Sequence, residues 1–178
     1  MKSKIQQLTI MVFIFLLCSL VWAENQNKYK LGVGDRIEIK VFGEADLFLE
    51  TTIDDDGIII YPFIGAIKVI DMTLSKLEQH ITRFLKDGYL VNPNVNVAIR
   101  EYRKFYIRGE VTQPGSYPYH PGLTVDKAVS IAGGFTERAA RNKIYIIPEN
   151  SNKNKPLKIK HHNTIKPGDI LIIEQSFF

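Results

Sequence analysis

Four glutamates, Glu44, Glu50, Glu101 and Glu110, are the residues of this chain that could pair for acid–base chemistry. Two carboxylates flanking a glycosidic bond suffice to hydrolyse it, one as acid and the other as base or nucleophile. No motif singles out a pair here, and spacing along the chain sets no separation in space. Asp54-Asp55-Asp56-Gly57 invites a calcium reading. A calcium loop, however, alternates its acidic positions before the glycine and places a glutamate well beyond it. Three adjacent aspartates before a glycine read instead as a solvated hairpin turn. His80, His120, His161 and His162 show no zinc spacing, and strand neighbours such as His161 and His162 point to opposite faces. Ser116 and Ser130 lack the context of a nucleophile elbow. The expectation is a chain with no catalytic residues, no metal and no cofactor.

Cations interleaved with aromatic residues form a second pattern. Arg100, Arg103, Lys104 and Arg108 surround Tyr102, Phe105 and Tyr106, and Arg138, Arg141 and Lys143 follow later. Such mixtures occur where single-stranded nucleic acid stacks on a protein. The plain reading is a solvated strand with aromatic core residues. The sharper one is a subunit interface or a surface touching acidic sugar, with Arg103, Arg108, Arg138 and Arg141 as its contacts.

The start of the chain argues against nucleic acid. Lys2 and Lys4 precede an apolar run from Leu8 to Val21, and Val21-Trp22-Ala23 supplies small residues at the right places for cleavage between Ala23 and Glu24. The run is short for a membrane span of about 20 residues. Cys18 is the single cysteine, and Leu17 before it is larger than a lipidation site wants. Cleavage at Ala23 leaves a chain without cysteine in an oxidising compartment, so packing alone must stabilise it. The formal net charge is +4. Loss of Lys2 and Lys4 lowers it to +2, too weak a field to steer a polyanion.

The elements that position these residues follow from periodicity. A polar tether at 24–28 leads to Tyr29-Lys-Leu-Gly-Val-Gly-Asp35 and then to Ile37, Ile39 and Val41 at period two, a half-buried strand. Leu47 to Ile53 predicts a second strand, and Ile58 to Tyr61 returns from the Asp-Gly turn as a third. Ala66 to Ile70 resumes after Pro62 and Gly65. Thr73 predicts a helix cap, Leu74, Leu77, Ile81, Phe84 and Leu85 an apolar face, and Gly88 a stop. Val95, Val97 and Ile99 alternate in a further strand.

A second unit opens at Lys104. Phe105-Tyr106-Ile107 runs toward Pro114-Gly115, a pair suited to the centre of a type II turn. Thr124 caps a short helix that presents Val125, Ala128, Val129 and Ala132 and closes at Gly133 or Gly134. Ile144 to Ile147 is a short strand, and Lys166-Pro-Gly-Asp169 launches a last one at Ile170. Gly34-Asp35 and Gly168-Asp169 recur at the two ends, which reads as convergent turn chemistry rather than duplication.

Taken in order, Tyr29-x-Leu-Gly-x-Gly-Asp35, Ile39-x-Val41-Phe42-Gly43-Glu44, Asp56-Gly57-x-Ile59, Pro62-x-x-Gly65 and Pro93-x-Val95-x-Val97 resemble the export domain of bacterial outer-membrane polysaccharide export proteins. Gly109-Glu110-Val111-x-x-Pro114-Gly115-x-Tyr117, Thr124-Val125-x-x-Ala128 and Ala132-Gly133-Gly134-x-Thr136 resemble the SLBB β-grasp domain of the same family. The resemblance implies an α+β chain: a signal peptide at 1–23, a tether at 24–28, an export domain at 29–103, a β-grasp-like domain at 104–175 and a tail at 176–178. It implies a homo-oligomeric, non-enzymatic component of capsule or exopolysaccharide export, periplasmic and associated with the outer membrane. Its partners would be the polysaccharide and an inner-membrane polysaccharide co-polymerase. Larger members add β-grasp units and a C-terminal amphipathic helix that builds a pore. This chain has room for one such unit and stops at Phe178, so a separate pore protein is the expectation. The alternatives are a soluble periplasmic glycan-binding module and a glycan-modifying enzyme.

Overall fold

The computed structural model describes residues 29–149, 151 and 155–176. The expected leader, the Ala23–Glu24 cleavage site, Cys18 and the tether lie outside the described residues. The fold is α+β, with ten strands and two helices among the described residues.

β1 (Arg36–Val41) is central in a three-stranded antiparallel sheet, between β2 (Glu44–Thr52) and β5 (Val95–Glu101). Its alternate residues Ile37, Ile39 and Val41 are buried, as period-two alternation requires. β3 (Ile58–Tyr61) and β4 (Gly65–Lys68) pair separately as a two-stranded ribbon. Helix α1 (Leu74–Lys86) packs on β5. Thr73 caps it by accepting from the Lys76 amide at 3.3 Å, and Gly88 follows its end at φ 101°. Leu77, Ile81 and Leu85 enter one core with both sheets, while Phe84 sits at the margin, 36% exposed.

Two turn assignments are corrected. Gly57 takes φ 69° and Asp54-Asp55-Asp56-Gly57 is a turn, closed by the Gly57 amide on the Asp54 carbonyl at 2.9 Å. It does not join a hairpin: β2 pairs with β1, and β3 pairs with β4. The turn instead carries the chain from one sheet to the next. The tight hairpin is β3–β4, and Phe63 in its loop adopts φ 62°. Sequence alternation marks a strand without marking its partner.

Tyr61 couples the ribbon to the sheet. Its ring is 1% exposed and its hydroxyl donates to the Leu47 carbonyl at 2.8 Å. Burial pushes its pKa up to about 12, so it stays a donor throughout the range in which the protein is handled. Tyr61→Phe keeps the ring and strands that carbonyl. A loss of about 1–2 kcal/mol in urea unfolding is expected.

The second sheet has the order β7-β6-β10-β8-β9. Its strands are β6 (Phe105–Gly109), β7 (Gly115–Tyr117), β8 (Ala139–Ile147), β9 (Leu157–Lys158) and β10 (Ile170–Gln175). β10 runs parallel to β6 and antiparallel to β8. Helix α2 (Val125–Ile131), capped by Thr124, turns Val125, Ala128 and Val129 into a second core with Phe105, Ile107, Leu171 and Ile173. Gly133 (φ 81°) and Gly134 (φ 90°) both close it. Pro114-Gly115 is the second correction. Gly115 is absent from the positive-φ glycines and begins β7, opposite Ile107. The left-handed residue of this region is Gly109, at φ 93°. β8 is longer than its apolar stretch suggested, and β9, too short for any periodicity, gave no sequence signal.

Candidate functional site

The two Gly-Asp turns organise the seam between the units. Asp35 and Asp169 are the buried polar or charged residues among those described. Asp35 accepts from the amide of Gly32, three residues back, at 2.9 Å, and from the amide of Arg103 at 2.9 Å. Asp169 accepts from the amide of Lys166, also three back, at 2.8 Å, and from the amide of Glu149 at 3.3 Å. Each aspartate therefore ties its own turn to a distant segment. Those segments then grip each other: the Arg103 guanidinium donates from Nε and Nη2 to Glu149.

Arg103 completes the link by donating from Nη1 to Asp35 at 2.9 Å and to the Tyr29 hydroxyl at 2.7 Å. A planar fork spreads five donors over three nitrogens and so meets these three partners at separate points, a spread that the single nitrogen of a lysine lacks. Glycines leave the space. A Cβ on Gly32 would fall 2.5 Å from Arg103 Nη1, and one on Gly168 2.3 Å from the Glu149 carboxyl carbon. Burial works against the Arg103 charge, but Glu149, Tyr29 and Asp35 outweigh it and hold its pKa above the ordinary value. Burial first, and then the Asp35 carboxylate, push the Tyr29 hydroxyl far up. Tyr29, Tyr102 and Tyr119 continue the seam through edge-to-face contacts at 5.0 and 5.4 Å.

Asp169 lacks a guanidinium. Burial pushes its carboxyl above the ordinary aspartate value, with the Lys166 and Glu149 amides pulling the other way. A carboxyl whose folded pKa lies above its unfolded value binds its proton more tightly in the native state. Its contribution to stability then grows as pH falls from neutrality through the folded pKa, and levels off below the unfolded value of 3.8. Urea unfolding of the parent and Asp169→Asn should show the parent gaining on the variant between pH 7 and about pH 4. A constant difference would refute this.

The remaining site residues are placed as follows. Arg103 is turned inward, its side chain 12% exposed. Arg108 lies on the exposed face of β6 beside half-exposed Tyr106. Arg138 is exposed just before β8, and its carbonyl accepts from the Ser176 amide. Arg141 lies over the Phe135 ring at 5.7 Å. The four arginines do not converge: one fastens the seam and three face solvent. Three of the four glutamates serve structural pairs: Glu50 and Glu101 face Arg36, and Glu110 accepts from the Thr136 hydroxyl at 2.6 Å. Among the described residues no group of three His, Cys, Asp or Glu side chains could hold a metal. No helix among them is long and apolar enough to cross a membrane.

Both units match family models. The polysaccharide biosynthesis/export model matches residues 23–100, and the SLBB domain model matches residues 104–156. The chain belongs to the polysaccharide export family. ExoF, an exopolysaccharide production protein of Rhizobium meliloti, is 32% identical over 120 residues, 61% of this chain and 28% of its own length. KpsD, a polysialic acid transport protein of Escherichia coli, is 31% identical over 60% of this chain and 19% of its own length. EpsA, an EPS I polysaccharide export outer-membrane protein of Ralstonia solanacearum, is 26% identical over 64% of this chain and 37% of its own length. The match thus spans well under half of each of these export-family relatives, which are named for production, transport or export.

The seam eluded sequence reading for a simple reason. Asp35 and Arg103 are 68 residues apart, and Arg103 and Glu149 are 46 apart. The available signal was the repeated Gly-Asp pair, which marks the two turns without naming what they hold.

Proposed function

We propose that this chain is a non-enzymatic, periplasmic and outer-membrane-associated component of capsule or exopolysaccharide export. Subunits assemble side by side into a collar through which a hydrated glycan slides. The observation that carries this reading is the succession of an export domain and an SLBB domain in one chain, with relatives named for polysaccharide production, transport and export. Two features of the molecule support side-by-side assembly. β2 and β5 edge the first sheet, and β7 and β9 edge the second, and strand edges are natural subunit contacts. Phe42, Phe48, Ile60 and Phe63 are each about half exposed or more, apolar surface that a neighbouring subunit would cover.

The collar works by geometry: a polar lumen that holds sugar weakly lets the chain pass, whereas tight binding would stall it. An inner-membrane polysaccharide co-polymerase is the partner that would feed it. Deletion of the gene should abolish or sharply reduce surface polysaccharide, and the purified protein should show an oligomeric mass by light scattering. Unchanged surface sugar overturns the export reading. A monomer with micromolar sugar affinity favours a soluble binding module instead.

A further inference from the structure

A cleft of about 720 Å³ opens on the second unit, lined by Arg141 and Asn142 of β8, Lys158 of β9, and Ile159, Lys160, His161 and His162 beyond it. Its volume falls within the roughly 300–1,000 Å³ of small-molecule sites. Among the described residues no carboxylate lines it. Arg141, Lys158 and Lys160 bring three basic side chains, and the ion pairs among the described residues use none of them. This is an uncompensated basic concavity on a chain whose overall charge is modest.

Two of its walls are fixed in advance. The Arg141 guanidinium lies over the Phe135 ring, and His161 meets the same ring edge-on at 5.9 Å. His161 is further held between the Asp126 carboxylate, 2.7 Å from Nδ1, and the Arg141 carbonyl, 2.8 Å from Nε2. The Asp126 carboxylate is thus engaged by His161 and turned away from the cleft's other cations, and Arg141, Lys158 and Lys160 remain to receive an anion. Asn142 adds an amide able to donate and accept.

We propose that this cleft binds the carboxylate-bearing sugar residues of an acidic glycan, so that the exported polymer is an anionic one. The assignment rests on the export reading above. A guanidinium and two ammonium groups suit carboxylates, and the amide and the aliphatic stems suit the hydroxyls and faces of a sugar ring. The lysines are exposed, so binding is weak and sensitive to salt, as a transit site needs.

The test is titration of the purified full chain with trigalacturonate, neutral maltotriose and inorganic phosphate, followed by amide NMR shifts. Trigalacturonate should move the signals of Arg141, Asn142 and 158–162, and maltotriose at equal concentration should not. Lys158→Glu with Lys160→Glu should weaken trigalacturonate about tenfold or more with an unchanged melting temperature. Equal response to maltotriose, or shifts centred elsewhere, overturns the proposal. So does phosphate matching trigalacturonate, which would mark a bare anion site. Should the double variant fail to fold, the comparison of the three ligands on the parent chain decides alone. The two readings fail separately. Absent binding with export lost on gene deletion sinks only the cleft, whereas binding with surface sugar unchanged on deletion sinks only the export role.

Discussion

Replacing Arg103 with alanine should lower the unfolding free energy by about 3–5 kcal/mol, the usual cost of removing one partner from a buried ion pair. Asp35 has no exposed surface, and Arg103 is its cationic partner. Without the guanidinium the carboxylate keeps its two backbone amides and the Tyr29 hydroxyl but loses its countercharge. Glu149 loses its partner across the seam at the same time. Arg103→Lys keeps a charge but cannot reach Asp35, Tyr29 and Glu149 together, so its loss should lie between parent and alanine. Urea unfolding monitored by tyrosine fluorescence reads both. A loss below about 1 kcal/mol for the alanine variant, the size of an exposed pair, would show that the seam is not held this way.

Gly109→Ala should be at least as damaging. At φ 93° an alanine already carries the left-handed penalty of about 1–2 kcal/mol. Its Cβ would also stand 2.0 Å from the Ile173 carbonyl oxygen. That oxygen belongs to the neighbouring strand and accepts from the Glu110 amide at 3.0 Å, so relief requires β6 and β10 to part. A total above about 4 kcal/mol is expected, in the range reserved for backbone and packing failures. The second unit should lose its near-ultraviolet circular dichroism and the protein its soluble yield. Gly115→Ala is the control. Gly115 has no positive φ, and the nearest atom to its Cβ is 4.0 Å away. It should change stability by no more than about 0.5 kcal/mol. If the two alanines behave alike, the steric argument is wrong.

Much of the fold was legible because its signals are local. Thr73 and Thr124 cap the helices they precede, since a hydroxyl accepting an amide three residues on is a matter of neighbours. Leu77, Ile81 and Leu85, and Ile37, Ile39 and Val41, are buried at their own periods. Partnership was not legible. The Asp54–Gly57 turn looks the same whether it closes a hairpin or leads into another sheet, and only the register of β2 on β1 and β3 on β4 decides. Pro114-Gly115 has the residues of a type II turn, yet the ladder to Ile107 claims Gly115 for a strand. Tertiary pairing overrides local preference there. The candidate arginines split for the same reason. Sequence showed four cations near aromatic residues, and only the fold turns Arg103 onto buried Asp35 while leaving Arg108, Arg138 and Arg141 outside.

The placement of β10 carries a further consequence. It follows every other described strand in the chain, yet it lies in the interior of its sheet, between β6 and β8. Until Ile170–Gln175 arrives, Phe105–Gly109 and Ala139–Ile147 have no neighbour to bridge them, and Leu171 and Ile173 are missing from the core. The strands and helix of the first unit are all made before residue 102 and can collect early. A chain emerging from its N-terminus would thus consolidate one half while the other stayed open. The late-closing half can latch only once its last strand has been delivered, so its core closes late whatever the first half has done.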